Sequence, residues 1–373
     1  MIMKCCGFEE MAENIRKDNK KIIMFGAGVV GQITVPEILR KYKLLQYLDC
    51  YLDNDSKKWD KLIEINNQKY VIRSPEYLGQ CGDNTIILIN ISRFFAVKDQ
   101  LEKMECTHNM TAYIMPMMCI HNMCSNKTGG SPVLSDKPLI PKIIHYMWLG
   151  GNPIPDNLKK CIDSWRRLCP DYEIIEWNER NYDINKHPYM KQAYENKAYG
   201  FVPDYARLDI LYNYGGFYLD TDVQLLKSLD LLRNQEAFVG VEKWQVLNFG
   251  GCSGAVKGHP MIKKFLDARQ NIFYIDKDGN PNRNTCGYYD TNVAIDAGYE
   301  LNGDTQCVNG MNIYGYDYFQ PYDYMSGILN ETINTRSIHY FNGGWLDDNM
   351  KKQNEITKQK YIQLYEECLE DNK

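Results

Sequence analysis

The chain has 373 residues, 44% hydrophobic and 24% charged, a balance that excludes a disordered, collagen-like or coiled-coil protein and leaves room for about two domains. Lys+Arg 43 against Asp+Glu 48 gives a net charge of −5, and the charges are mixed along the chain, so no nucleic-acid partner is expected. Apolar runs such as 85–91 fall far short of the roughly 20 residues of a membrane-spanning helix, and the first residues carry no signal-peptide core, so a cytoplasmic protein is expected. The 13 cysteines are an odd number in a long chain, and reduced thiols filling the core are expected. Tyrosine leads the aromatic residues, 28 beside 12 Phe and 6 Trp; half-buried surface accounts for that, and a carbohydrate or nucleotide surface would also use it.

Lys21–Phe25 reads as a short buried strand, followed at once by Gly26-Ala27-Gly28-Val29-Val30-Gly31 and an apolar-periodic helix running to about Tyr42. Further strands are expected at Tyr47–Leu52, Tyr70–Ile72, Thr85–Ile91 and Thr111–Met115, with a helix at Phe94–Met104. Such alternation predicts a parallel sheet covered by helices, a Rossmann-like domain over residues 1–125.

The pattern GxGxxG needs glycine where the backbone turns tightly onto a pyrophosphate, and an acid about 20 residues on can bind a ribose. Gly26, Gly28 and Gly31 supply the turn, and Asp53 follows Gly31 by 22 residues. Three readings stand open for this set: bound NAD(P), a turn kept because the fold needs it, or a sensing site for a sugar nucleotide. The stretch Asp53-Asn54-Asp55-Ser56-Lys57-Lys58-Trp59 resembles the small Rossmann-like domains fused to sugar-modifying enzymes. Cys106, His108, Cys119, His121 and Cys124 offer zinc-type ligands within 19 residues, but without a CxxC knuckle ordinary buried thiols and histidines are the expected reading.

Gly, Ser and Pro concentrate in Ser125–Pro141, and residues 126–140 are read as a linker. A second α/β pattern follows over 141–346, a new sheet. Its expected elements are strand Lys142–Trp148, helix Asn157–Leu168, strand Tyr172–Trp177, helices Pro188–Lys197 and Pro203–Tyr214, and strand Phe217–Leu219. Pro203 suits a first helical turn and Gly215-Gly216 a stop. Later strands are expected at Ala237–Val241 and Cys252–Val256, a helix at Pro260–Ile272, and a polar amphipathic helix within 347–373. His259, next to Pro260, is read as a helix-start residue.

The informative segment runs from Phe201 to Asp222. Asp204 and Arg207 are three apart on a helix and share one face, where a carboxylate and a guanidinium can grip hydroxyls and phosphate together. Asp220 and Asp222 flank one residue at a strand end, so both carboxylates can project to the same side. That pair suits Mg²⁺ or Mn²⁺, which keeps coordination positions for water and substrate phosphates. Such an ion neutralises the charge that builds on a departing diphosphate.

With Ile140 to Gly151, Asp204 with Arg207, and Tyr214 to Asp222, the sequence resembles glycosyltransferase family 32, the group of fungal initiating mannosyltransferases, animal α-1,4-galactosyltransferases and bacterial capsule enzymes. More distantly it is similar to the glucosylating domain of large clostridial toxins. The resemblance covers about 140–345 and implies a GT-A fold, a nucleotide-sugar donor, Mn²⁺ or Mg²⁺, and transfer with retention. It implies Trp148 stacking on the nucleobase, and Asp204 and Arg207 on the donor sugar and diphosphate. Asp220 would meet ribose or sugar hydroxyls and metal-bound water, and Asp222 would bind the metal. Ser337 to Trp345 matches the closing His…Trp element, with Trp345 over the diphosphate. Gly344 stands where many relatives carry serine, which leaves His339 or Asn342 as the third ligand. Proline precedes Asp204 where serine is usual. Asn248–Pro260 resembles the strand that faces the reacting sugar.

The function so implied is a metal-dependent retaining hexosyltransferase, UDP-hexose favoured as donor, acting on a saccharide acceptor of capsular or other surface polysaccharide. A lipid-linked acceptor would bring peripheral contact with the inner face of the cell membrane. The competing readings are an NAD(P)-dependent nucleotide-sugar oxidoreductase or epimerase centred on the glycine turn, and a non-catalytic sugar-nucleotide-binding protein.

Overall fold

A computed structural model describes the chain apart from residues 126–127, 278, 283–285, 343–347 and 371–373. The chain is α/β and divides into two compact units, one of Met1–Lys127, Met325–Gly327 and Gln353–Lys373, the other of Thr128–Tyr324 and Ile328–Lys352. Among the described residues no helix is long and apolar enough to cross a membrane.

The first unit is built on a seven-stranded sheet in the order Ile2–Lys4, Thr111–Ile114, Thr85–Ile89, Lys21–Phe25, Leu48–Leu52, Gln68–Arg73, Leu62–Ile65. All neighbours run parallel except the last pair. Thr85–Ile89 is buried throughout, as a parallel strand covered on both faces must be. The expected helix after the glycine turn is split into Val29–Gln32 and Thr34–Lys41. Pro36 has no N–H to donate to the Gln32 carbonyl, so the first piece stops and the second carries Pro36 in its opening turn. Four further elements escaped the sequence reading, the strands Ile2–Lys4 and Leu62–Ile65 and the helices Phe8–Lys17 and Met115–Ser125. Within this unit the later part of helix Asp348–Glu370 is pinned by Tyr361. Its fully buried ring meets Phe94 and Phe95 edge-on at 5.1 and 5.5 Å between centroids.

The second unit holds another seven-stranded sheet, in the order Gln306–Val308, Met311–Tyr314, Ala237–Val241, Leu247–Ala255, Gly216–Tyr218, Ile143–Met147, Glu173–Trp177. Leu247–Ala255 runs antiparallel between two parallel groups, which makes the sheet a mixed one. Residues 249–252 loop out of its ladder with Ala237–Val241, where the register jumps from Val239↔Ser253 to Gly240↔Asn248. A short antiparallel pair, Val223–Leu225 with Ser337–His339, completes the unit. Residues 128–140, rich in linker-type composition, are tied to this unit: Gly130 bridges Thr305, Val133 N–H donates to Asn312 Oδ1 at 2.9 Å, and Ser135 N–H donates to Asn234 O at 2.6 Å.

Among the described residues eleven cysteines are free thiols, whereas Cys5 is disulfide-bonded. The expectation of reduced thiols fails there, at a buried position.

Candidate active site: an aspartate pair and a histidine at the carboxyl edge of the second sheet

Helix Pro203–Tyr214 carries Asp204 and Arg207 on one buried face and ends at Gly215, whose φ of 70° is open to glycine. A side chain there would also press on backbone, with Cβ 2.8 Å from Lys257 N. Buried His145 fixes this stop from the neighbouring strand. Its Nε2 lies 2.8 Å from Gly215 O, and its Nδ1 accepts the indole N–H of Trp177 at 3.2 Å, so the ring is neutral with its proton on Nε2. Burial, only partly offset by the Gly215 carbonyl, pushes its pKa down to about 4.

The chain then runs through strand Gly216–Tyr218 to Asp220 and Asp222. Asp220 N–H donates to Gly250 O at 2.9 Å, and Asp222 Oδ2 accepts Asn342 N–H at 2.8 Å. The strand pairing Val223↔His339 brings His339 alongside. Its Nε2 stands 3.2 Å from Asp222 Oδ1 and 4.0 Å from Asp220 Oδ2. One ligand atom from each of the three lies within 4.8 Å of the others. Burial pushes the Asp222 carboxyl up, but the His339 charge and hydrogen bonds outweigh it and hold the acid below the usual carboxylate range. Burial works against a charged His339 too, yet Asp222 holds it above the ordinary histidine value. The two form a true ion pair.

Arg207 joins this group to the helix. Its Nη2 lies 3.2 Å from Asp204 Oδ1 and 3.6 Å from Asp220 Oδ1, and its Nε donates to Pro203 O at 3.0 Å. Burial disfavours its charge, but Asp220, then Cys286 and Asp204, keep it protonated well above the ordinary arginine value. The guanidinium fork is the group that grips a phosphate bidentately, and here the two carboxylates hold it in place.

The sequence-derived residues Asp204, Arg207, Asp220, Asp222 and His339 are therefore brought together. Asn342 reaches Asp222 through its backbone N–H. Trp148 stands one residue beyond strand Ile143–Met147, half-buried, its indole N–H donating to Asn152 O at 2.6 Å. Trp345, with Gly343 and Gly344, lies outside the described residues. His259 caps its helix, accepting Met261 N–H on Nδ1 at 3.2 Å.

Gly26, Gly28, Gly31 and Asp53 gather in the first unit at the end of strand Lys21–Phe25. A Cβ on Gly26 would sit 2.1 Å from Asn90 Oδ1, and one on Gly31 2.2 Å from Gly26 O, so both glycines make room for protein. Asp53 is committed as well, Oδ2 accepting Ala27 N–H at 3.0 Å and Lys58 Nζ at 2.9 Å.

Sequence reasoning missed the ion pair Arg269–Asp290, buried at 4% and 2% side-chain exposure with contacts of 2.8 Å, which carries Cys286 toward Arg207. It also missed Asn248, whose Oδ1 accepts the N–H groups of Gly250 and Gly251 at 2.9 and 3.2 Å. No spacing pattern marks these residues, because separate elements deliver them.

The donor set fits a divalent cation. Two carboxylates offer hard ligands and the His339 imidazole a borderline one once an ion displaces its proton, with gaps of 3.2 and 4.0 Å that an ion with bonds of about 2.1 Å can span. Asp220, Asp222 and His339 would hold it.

The α/β fold thus presents two aspartates and an imidazole, with a guanidinium beside them, at one sheet edge, a centre suited to a cation and a phosphate-bearing ligand. Residues 155–239 match the family model described as glycosyltransferase sugar-binding region containing DXD motif, and Asp204, Arg207, Asp220 and Asp222 all fall inside the match. Among curated relatives, inositol phosphoceramide mannosyltransferase 3 of Schizosaccharomyces pombe is 36% identical over 33% of this chain and 35% of its own. Mannosyl phosphorylinositol ceramide synthase SUR1 of Saccharomyces cerevisiae is 35% identical over 39% of this chain and 38% of its own. The chain thus spans little more than a third of the length of these relatives. A solved chain titled PaToxG Glycosyltransferase aligns at 20% identity and a TM-score of 0.33, covering 42% of this chain and 68% of that one.

Proposed function

We propose that the protein is a metal-dependent retaining glycosyltransferase that moves a hexose from a nucleotide-sugar donor to a hydroxyl-bearing acceptor. The observation that carries the reading is the Asp220–Asp222–His339 group with Arg207 beside it, inside a segment matching a glycosyltransferase region. A divalent cation bound there would neutralise charge on the leaving diphosphate. Arg207 faces the same diphosphate, Asp204 fixes the guanidinium and binds sugar hydroxyls, and Asp220 is shared between ribose or sugar hydroxyls and the ion's water. Gly250 lets backbone approach this centre. Retention follows the resemblance, through same-face displacement in which the leaving diphosphate takes the acceptor proton.

The sugar is a hexose. Sequence resemblance favours a UDP donor, while the names of the fungal relatives, mannosyltransferases acting on inositol phosphoceramide, put mannose and a lipid-linked acceptor beside it. Surface-polysaccharide synthesis at the inner face of the cell membrane is the setting we infer. Nothing observed favours the oxidoreductase or the sensor reading: Asp53 is satisfied by protein, and the acidic motif is intact.

The test is a donor screen with Mn²⁺, using UDP-glucose, UDP-galactose, their N-acetyl forms and GDP-mannose. Free nucleotide should appear from one donor and vanish with EDTA, and the sugar first released should keep the donor's anomeric configuration. Tight donor binding without release would move the reading to the sensor, and NAD(P) retained through purification would move it to the glycine turn.

A further inference from the structure

The parallel strands Ile143–Met147, Gly216–Tyr218 and Ala237–Val241 end at one carboxyl edge of the second sheet, the edge where α/β folds hold ligands. Past the first stands Trp148, past the second Asp220, past the third Glu242. Glu242 opens a tight turn to strand Leu247–Ala255: its N–H donates to Val246 O at 3.1 Å, and its carbonyl accepts Gln245 N–H at 2.7 Å. The ladder rung Gly240↔Asn248 ties that turn to Asn248, which holds Gly250, and Gly250 O receives the N–H of Asp220. Glu242 is thereby on a rigid element bonded through to the metal-type centre.

Its carboxylate is half-buried and, among the described residues, has no hydrogen bond or ion pair. Next to it, Lys243 and Asp323 are buried and joined to each other. A second acceptor lies close to the same centre. Gln320, 1% exposed, donates its amide to Asn248 O at 3.3 Å, which turns Oε1 the other way, where no donor meets it among the described residues. Its side chain packs on Gly251, whose carbonyl also accepts the hydroxyl of Ser337, two residues before His339. A half-buried carboxylate and a buried amide oxygen, both without donors, are costly unless a ligand brings O–H groups. Burial, opposed by Lys243, pushes the Glu242 acid up to about 7, and Asp323 and His339 are the other charges that act on it. A carboxylate repels a diphosphate and welcomes hydroxyls, so the ligand at this place is the attacking partner.

We propose that Glu242, backed by Gln320 Oε1, is a positioning residue for the attacking hydroxyl compound: a polyol or saccharide in transfer, water in hydrolysis. The assignment rests on the transferase reading above. The attacking oxygen bonds to the anomeric carbon as that carbon's bond to the diphosphate oxygen breaks. The bonding pair and the attacking proton go to the diphosphate. Glu242 meanwhile accepts a hydrogen bond from the second hydrogen of water, or from a neighbouring hydroxyl of a saccharide.

The experiment measures donor hydrolysis with Mn²⁺ in the full chain, on the donor that the wild type cleaves. Glu242→Gln should lower kcat roughly ten- to a hundredfold, the loss of a hydrogen bond to a charged group, with the donor KM within about twofold. Glu242→Asp should recover part of it. A merely structural role would lower the melting temperature and raise KM along with kcat, in both variants alike. An unchanged kcat in Glu242→Gln, or a raised donor KM at constant kcat, overturns the assignment and leaves the transferase reading standing. Should Glu242→Gln fail to fold, the same split is read from Glu242→Asp. No nucleotide release by the wild type from any donor overturns the transferase reading, and this assignment with it.

Discussion

Gly250 has no side chain because Asp220 and Arg207 occupy the place one would take: a Cβ there would sit 2.0 Å from Asp220 Oδ2 and 2.9 Å from Arg207 Nη1. The fit sets the distance between backbone and the acids that hold ion and donor. Gly250→Ala should therefore cost about 1–3 kcal/mol by overpacking and lower kcat at least tenfold, read by thermal unfolding and steady-state nucleotide release. Wild-type kcat in a folded variant would show that Asp220 moves without consequence. Residues of this kind differ in how legible they are. Asp204, Arg207, Asp220 and Asp222 lie within 19 positions of one another, so local spacing on a helix and a strand end reveals them. His339 and Asp222 meet only through a pairing of three-residue strands, and resemblance alone suggested the histidine. Glu242 was one acid among 48 Asp and Glu, visible only once its lack of a partner was.

Among elements, helix Pro203–Tyr214 is the one on which the site hangs, and its stop depends on His145. That histidine is neutral in the fold, with a pKa pushed down by burial to about 4, against about 6.5 in an unfolded chain. As pH falls the unfolded chain takes up the proton first, so the stability from this group is complete above about 6.5 and is lost as pH drops through about 4. The shift corresponds to about 3 kcal/mol. Urea unfolding should show the wild type losing that much more than His145→Gln between pH 7 and 4; parallel curves for the two proteins would sink the idea. Elements bounded by such devices were readable in advance. Pro203 and Gly215 marked both ends of this helix, and Ala237–Val241 was a clean apolar run. The pair Val223–Leu225 and Ser337–His339 was not, because three residues hold no period and their pairing spans more than 100 positions.

Over the whole chain the two sheets were legible as two α/β patterns separated by a Gly, Ser and Pro stretch, whereas the partition of the tail was not. The C-terminal part of helix Asp348–Glu370 counts with the first unit because Tyr361 buries its ring against Phe94 and Phe95, and a polar amphipathic pattern does not say which surface it covers. Tyr361→Ala should remove about 3 kcal/mol from that unit, seen as faster amide exchange in residues 354–367 and 95–102. Unchanged exchange would place the helix's stability elsewhere. The measurement that bears most directly on the central claim is nucleotide release from the best donor as Mn²⁺ is raised, in the wild type and in Asp222→Asn. Release that saturates with Mn²⁺ in the wild type and stays at background in a folded Asp222→Asn is the predicted result. Release that ignores both Mn²⁺ and the substitution would contradict a metal-dependent transferase centred on Asp220, Asp222 and His339.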